Sequence, residues 1–115
     1  MTAALETIAA PTWQPVCRLE DLLPGRGACA LLDGQQIALF LVDGIVHAVG
    51  NYDPYGRAYV MSRGIVGSRA GVPTVASPLY KQVFDLRTGA CLSEAGPGLS
   101  TYPARVSGGA VQLRF

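Results

Sequence analysis

The sequence is poor in the side chains that bind transition metals. It has one histidine, His47, and three cysteines, Cys17, Cys29 and Cys91, among 115 residues, and no two cysteines form a CxxC pair. An odd number of widely spaced cysteines argues against the disulfide framework of a secreted domain. This favours reduced thiols and a cytoplasmic protein.

Strong net charge and long apolar runs are missing as well. Nine basic and eight acidic residues give a net charge of +1, which is no general reason to expect nucleic acid or a membrane as partner. No apolar run is long enough to span a bilayer. The first residues, MTAALETIAAP, have no basic start and carry Glu6 in the apolar stretch. We therefore expect a flexible tail over residues 1–11 rather than a signal peptide.

Half of the residues are apolar, which is enough for one domain of this length to form a core without a metal or disulfides. We expect a single domain over residues 12–115. Within it, Asp33-Gly34 and Asp43-Gly44 each suit a two-residue hairpin, because both central positions of such a turn take positive φ. They divide the middle of the chain into three predicted strands, residues 28–32, 35–42 and 45–50.

Shorter strands are predicted on both sides of this meander. TWQPVCRL is typical of an edge strand, because Pro15 cannot donate a ladder hydrogen bond. LEDLLPG is typical of one helical turn. QVFDL, ACL, TYPARVS and AVQLRF are predicted as short strands separated by turn residues. No segment keeps a helical period over three turns, so the fold class is all-β, an antiparallel barrel or sandwich.

Residues 51–81 are too long for a hairpin turn, and such a stretch inside a compact β domain is usually functional or disordered. VASPLY and RAYVMS are apolar enough to pack, so we expect a long ordered loop excursion. Its segment SRGIVGSRAG lacks the GxxxxGK[ST] spacing of a phosphate-binding loop. We interpret Gly64, Gly67 and Gly71 as residues of tight turns.

Two pieces of this excursion resemble the cluster-binding loops of Rieske-type ferredoxin domains. In that family the loops read N-x-C-P-H and C-P-x-H-G, and two cysteines and two histidines hold a [2Fe–2S] cluster. Here residues 51–55 read NYDPY and residues 77–81 read SPLYK, and the following FDLRTGACL matches the family's F-D-L-x-T-G-x-C-L. The resemblance covers roughly residues 13–115 and implies a Rieske-like fold.

All four ligand positions are changed. Asp53 and Ser77 stand in place of the cysteines, and Tyr55 and Tyr80 in place of the histidines. These are hard oxygen donors, whereas an iron–sulfur cluster needs thiolates or imidazoles. We interpret His47 as a surface or half-buried strand residue rather than a ligand. We expect no metal site and no catalytic tyrosine, with the loops fixed by an Asx-type turn at Asp53 and by aromatic packing.

The string NYDPYGRAYVMSRGIVGSRAGVPTVASPLYKQVFDLRTGACL closely resembles the small subunits of assimilatory NAD(P)H-dependent nitrite reductases, in which SRGIVG and VASPLYKQ.FDL..G.CL are diagnostic in combination. The resemblance implies a cytoplasmic subunit of an oxidoreductase that is not catalytic alone and carries no cofactor. Its partner would be a large subunit with FAD, sirohaem and iron–sulfur centres. That subunit would reduce nitrite to ammonium in nitrate assimilation.

Basic residues and tyrosines are concentrated in the excursion. Residues 51–82 carry four basic residues against one acidic residue, a net charge of +3, and four of the five tyrosines. Tyrosine and arginine are enriched at interface hot spots, and positive charge steers an acidic partner. This favours a docking surface for the large subunit over a solvated basic loop. The candidate contact residues are Arg57, Tyr59, Arg63, Arg69, Tyr80 and Lys81.

Two other functions stay open on the sequence alone. A Rieske-type electron-transfer protein with unusual ligands would bind iron and absorb visible light, but the missing cysteines and histidines disfavour it. A stand-alone module would bind an anionic ligand or nucleic acid through the basic excursion in a salt-sensitive way. The near-neutral total charge disfavours that alternative.

Overall fold

The structure, a computed structural model, describes residues 12–79 and 81–114. Within them, twelve strands form four sheets, and two one-turn 3₁₀ helices cover Leu19–Asp21 and Met61–Arg63. The strands are β1 (Trp13–Arg18), β2 (Ala28–Leu32), β3 (Gln35–Val42), β4 (Ile45–Gly50), β5 (Tyr52–Asp53), β6 (Ala58–Tyr59), β7 (Ile65–Arg69), β8 (Val72–Ala76), β9 (Val83–Asp85), β10 (Thr101–Tyr102), β11 (Ala104–Ser107) and β12 (Ala110–Arg114). The predicted all-β class is confirmed, and the sheets stack as a sandwich rather than closing into a barrel.

The central sheet has the strand order β10-β4-β3-β2. Strands β2, β3 and β4 have the bounds predicted from the sequence. Both of their hairpins turn at the Asp-Gly pairs, where φ is +50° at Asp33, +76° at Gly34, +50° at Asp43 and +78° at Gly44. The turn chemistry therefore sets the register of the meander.

Strand β3 is buried on both faces, because other layers cover the central sheet on its two sides. Ile37 and Leu39 belong to an apolar cluster shared with β12, whereas Ala38 and Phe40 belong to a second cluster shared with β8 and β9. Successive side chains of a strand point to opposite faces. The central sheet is consequently the middle layer of the sandwich, and the two cluster-like loops lie at the β8–β9 side.

The outer sheet has the order β1-β12-β11, so β1 is an edge strand as predicted from Pro15. The register of β1 against β12 shifts between Pro15 and Cys17. A bulge beside an edge proline is consistent with the missing backbone donor. The predicted helical turn is also present, as the 3₁₀ helix at Leu19–Asp21.

Two strand predictions near the C-terminus are wrong in detail. TYPARVS forms two strands of different sheets, β10 and β11, because Pro103 between them has no amide hydrogen to continue the ladder. ACL forms only one isolated bridge, between Cys91 and Phe84. The Gly- and Pro-containing segment after it, residues 93–98, has no strand pairing.

The described residues of 51–81 contain more sheet than the loop excursion expected from the sequence. Strands β7 and β8 form a hairpin, to which β9 adds a third strand. Its turn is Ala70-Gly71, with φ of +51° and +81°. Of the three glycines interpreted as turn residues, only Gly71 is in a turn. Gly67 lies within β7, and Gly64 allows close packing, since a Cβ there would lie 2.6 Å from Val75 Cγ2.

Several predictions fall on residues outside this description. The tail of residues 1–11 and the side chain of Tyr80 are not among the described residues, so the expectations for them stay predictions. In residues 12–79 and 81–114, no helix is long and apolar enough to cross a membrane.

Candidate functional site

The two loops that resemble cluster-binding loops, loop 1 (residues 51–55) and loop 2 (residues 77–81), are joined by a direct side-chain hydrogen bond. Ser77 Oγ donates to Asp53 Oδ2 at 2.5 Å. Both side chains are fully buried. The two positions that hold cysteines in Rieske-type domains are therefore linked to each other here.

Loop 1 is folded around the Asp53 carboxylate. Asp53 Oδ1 accepts a hydrogen bond from the Tyr55 backbone N–H at 2.9 Å, which is the expected Asx-type turn. The Asp53 carbonyl accepts from the Arg57 N–H at 2.7 Å. A Cβ at Gly56 would lie 2.8 Å from Asp53 Oδ2, so only glycine fits beside the carboxylate. Both carboxylate oxygens are thus used by the protein itself.

Loop 2 is closed by hydrogen bonds to Ser77. Its Oγ accepts from the Leu79 N–H at 3.2 Å while donating to loop 1. Its carbonyl accepts from the Lys81 N–H at 3.1 Å, and its N–H donates to the Gln82 carbonyl at 2.9 Å. The hydroxyl therefore organises loop 2 and connects it to loop 1 at the same time.

Asn51 fixes the start of loop 1 to the sandwich. Its side-chain amide donates to Gln36 Oε1 at 3.0 Å, and its Oδ1 accepts from the Ser62 N–H at 2.6 Å. Its carbonyl accepts from the Met61 N–H at 3.0 Å. The buried Asn51 amide thereby joins β3, loop 1 and the second 3₁₀ helix.

Tyr55 packs and hydrogen-bonds as a structural residue. Its ring lies 6.0 Å from that of Phe84, centroid to centroid, and its hydroxyl donates to the Pro97 carbonyl at 2.9 Å. A hydrogen bond with the Cys91 thiol, followed by burial and by nearby negative charges, raises the pKa of Tyr55 to about 12. A phenol with that pKa is neutral at physiological pH and is poorly suited to general acid–base catalysis.

The three cysteines are free thiols. Burial and the Asp21 carboxylate raise the pKa of Cys17. Burial also raises the pKa of Cys91, but hydrogen bonds with Tyr55, Ser93 and nearby backbone groups outweigh it, so the net shift is downward. Cys91 lies in the FDLRTGACL segment, where it forms the isolated bridge to Phe84.

His47 is a half-buried residue of β4, as predicted, and its cross-strand partner is Phe40. Burial lowers the pKa of His47, and the Asp85 carboxylate partly opposes this. The pKa of Asp85 is itself lowered, chiefly by the Arg87 side chain, whose guanidinium lies 3.2 Å away. Asp85 and Arg87 therefore form an ion pair whose charges act on His47.

The donors at the former ligand positions do not fit a [2Fe–2S] cluster. Asp53, Ser77 and Tyr55 offer oxygen atoms, each already hydrogen-bonded within the protein, whereas the cluster takes thiolate and imidazole ligands. In the part of the chain that the structure describes, no group of three or more His, Cys, Asp or Glu residues is placed to hold a metal ion.

Some of the predicted contact residues lie in or beside the loops. Arg57 and Lys81 are exposed and take positive φ, +57° and +63°. Tyr59 is 60% exposed, and its ring lies 5.0 Å from that of Tyr52 at the edge of a cleft of about 420 Å³. The rest of this cleft is lined by Gly34, Gln35, Gln36, Gly50, Asn51, Ser100 and Tyr102.

The other predicted contact residues lie elsewhere. Arg69 precedes the β7–β8 turn, at the end of that hairpin away from Ser77, and donates to the Leu92 carbonyl at 3.2 Å. Arg63 lines a second cleft together with Arg26. Arg26 was not among the contact residues predicted from the sequence. No local pattern identifies Arg26, because its proximity to Arg63 arises only from the fold.

Comparison with known proteins agrees with the fold and the loops. The family described as Rieske-like [2Fe-2S] domain matches residues 12–114. The NADH nitrite reductase small subunit of Salmonella typhimurium is 44% identical over 104 residues, which are 89% of this chain and 96% of that protein. A crystal structure of a Mycobacterium tuberculosis chain assigned as an NADH-dependent nitrite reductase small subunit has 49% identity and a TM-score of 0.88, covering 92% of this chain and 96% of that chain.

A similar segment also occurs inside a longer protein. The NAD(P)H nitrite reductase large subunit of Klebsiella oxytoca is 38% identical over 99 residues, which are 86% of this chain but 10% of that protein. Together with the full-length matches, this means that the chain belongs to the Rieske-like domain family and, within it, to the nitrite reductase small subunits.

Proposed function

We propose that this chain is the non-catalytic small subunit of a cytoplasmic NAD(P)H-dependent nitrite reductase and that it acts by binding the large subunit. The similarity to named small subunits over nearly their whole length supports the assignment. The similar segment within the Klebsiella large subunit adds a second argument. A domain that occurs both as a separate chain and inside a longer one is expected to contact the rest of the enzyme directly.

The hydrogen bond between Ser77 and Asp53 is the observation that carries this proposal. It joins the loops where a Rieske-type domain has two ligands, so the tip keeps its shape without a metal. We propose that this chain holds no redox cofactor, and that FAD, sirohaem and iron–sulfur centres belong to the large subunit. Electrons would pass there from the nicotinamide to nitrite, giving ammonium in nitrate assimilation.

The surface of the loops suits a protein partner. Leu79 is 48% exposed, and Arg57 and Lys81 are exposed. Exposed apolar and basic side chains in one pair of loops are typical of an interface that is steered by charge and held by a few apolar contacts. The proposal therefore assigns loops 1 and 2 to the large-subunit interface, together with Tyr59 and the predicted contact residue Tyr80.

Co-expression of the tagged chain with the large subunit from the same source tests the proposal. We expect the large subunit to copurify and nicotinamide-dependent nitrite reduction to fall when the small chain is omitted. An isolated chain that binds iron and absorbs visible light would instead indicate an electron carrier. If the large subunit neither copurifies nor depends on this chain, the proposal is wrong.

A further inference from the structure

Arg26 and Arg63 are far apart in the sequence but line one cleft of about 350 Å³. No acidic residue is among those that line the cleft. The other lining residues are Gly25, Gly27, Ser62 and Gly64. Two arginines, one serine and three glycines are a composition that suits an oxyanion site.

Close packing at two glycines fixes the walls of this cleft, which we call the Arg26–Arg63 cleft. A Cβ at Gly27 would overlap the Ser62 carbonyl oxygen and lie 2.8 Å from Phe40 Cε1. A Cβ at Gly64 would lie 2.7 Å from the Ala76 carbonyl oxygen. Each arginine directly precedes one of these glycines, so the backbones that carry the two guanidinium groups are held against each other.

Neither guanidinium has a partner within the described part of the protein. Among residues 12–79 and 81–114, the side chains of Arg26 and Arg63 make no hydrogen bond or ion pair, and the Ser62 hydroxyl makes no hydrogen bond. Most other arginines are engaged. Arg18 pairs with Glu20, Arg87 with Asp85, Arg69 bonds to the Leu92 carbonyl, and Arg105 and Arg114 stack on Trp13.

We infer that the Arg26–Arg63 cleft binds the carboxylate of an acidic side chain of the large subunit, an inference that rests on the proposed function. The two arginines that line the cleft have no acidic partner among the described residues, so a carboxylate from outside the chain would complement their charge. Both arginines are exposed, so a free anion would be held weakly in water. A folded partner delivers its carboxylate together with surrounding surface that excludes water.

The test is the dissociation constant of the complex, measured with purified large subunit and the double variant Arg26→Gln/Arg63→Gln. We expect it to rise by about ten- to a hundredfold, the effect of removing one side of an interfacial charge pair, and to depend less on salt. The matched control is Arg18→Gln/Arg105→Gln, which removes the same charge outside the cleft and should leave the constant unchanged. Arg26→Lys/Arg63→Lys keeps the charge and should lose part of the affinity, since lysine lacks the fork of donors.

The outcomes separate this inference from the proposed function. If the wild-type chain does not bind the large subunit, both the proposed function and the inference are wrong. If the wild type binds the large subunit and the Gln and Lys double variants bind it as tightly as the wild type, only the inference is overturned.

NMR titration of the isolated chain with inorganic phosphate and with nitrite tests the alternative that the cleft binds a free anion. Amide shifts at Gly27 and Gly64 at low anion concentration, with unchanged affinity of the variants for the large subunit, would identify a free-anion site and contradict the inference.

Discussion

Ser77 in loop 2 donates a hydrogen bond to Asp53 in loop 1, and both side chains are shielded from solvent. In a Rieske-type domain these two positions carry cysteines, and the metal holds the loops together. Here one short polar contact connects them. The hydrogen bond holds loops 1 and 2 together, although the residues at the ligand positions differ from those of a Rieske-type domain.

Replacing Ser77 by alanine should destabilise the domain, because it leaves a buried carboxylate oxygen of Asp53 without its donor. The expected loss in the free energy of unfolding is about 1–3 kcal/mol, measured by urea denaturation. Ser68→Ala is the control, since Ser68 is exposed on β7, and it should change little. Equal denaturation midpoints for the two variants would show that the Ser77–Asp53 contact contributes nothing to stability.

Gly27→Ala should destabilise the domain by about 1–3 kcal/mol, the usual cost of forcing extra volume into a packed site. The added Cβ would meet the Ser62 backbone and the Phe40 ring, and backbone atoms cannot move aside cheaply. Gly67→Ala is the matched control, because its nearest atom would be Thr74 Oγ1 at 3.5 Å, an ordinary contact. Thermal unfolding compares the two. A Gly27→Ala protein as stable as the control would contradict the packing described for the Arg26–Arg63 cleft.

Tyr55 should ionise only at a pH well above that at which an ordinary tyrosine does. Its pKa is raised from 10.0 to about 12, so its contribution to stability is complete below pH 10 and is lost as the pH rises towards 12. Absorbance titration of the phenolate should show this late step in the wild type and not in Tyr55→Phe. If the wild type and Tyr55→Phe show the same late step near pH 12, that step does not belong to Tyr55.

His47 should make the domain less stable in mild acid. Its pKa is lowered in the fold, mainly by burial, so the unfolded chain binds a proton more readily than the folded one. Stability should therefore fall as the pH decreases below the reference value of 6.5. In His47→Gln the melting temperature should change less between pH 7.5 and pH 5.5. A variant whose melting temperature has the same pH dependence as that of the wild type would contradict the role assigned to His47.

The parts of the fold that local chemistry determines could be predicted from the sequence. The β2–β4 meander has the predicted bounds because Asp33-Gly34 and Asp43-Gly44 take the positive φ that such turns require. The β7–β8 hairpin was missed because its turn uses Ala70 in front of Gly71. Alanine at φ +51° is unusual and gives no turn signal.

The candidate site was predictable only in part, because sequence spacing shows which positions correspond but not which side chains meet. The resemblance to Rieske loops identified Asp53 and Ser77 as the residues at the two cysteine positions. The structure shows that a hydrogen bond joins them. The proximity of Arg26 to Arg63 depends on the close approach of Gly27 to the Ser62 backbone. A contact between distant segments of this kind leaves no periodic or motif signal in the chain.

The most direct test of the account is to ask whether the chain supports the large subunit without iron. The chain would be purified anaerobically, and its iron and sulfide contents would be measured. It would then be treated with a chelator and titrated into large subunit that had been purified without the small chain. The rate of nicotinamide-dependent nitrite reduction would be measured. The account predicts less than stoichiometric traces of iron and full recovery of activity with the chelated chain. Activity that appears only with an iron-loaded chain, and is lost on chelation of that chain alone, would contradict it.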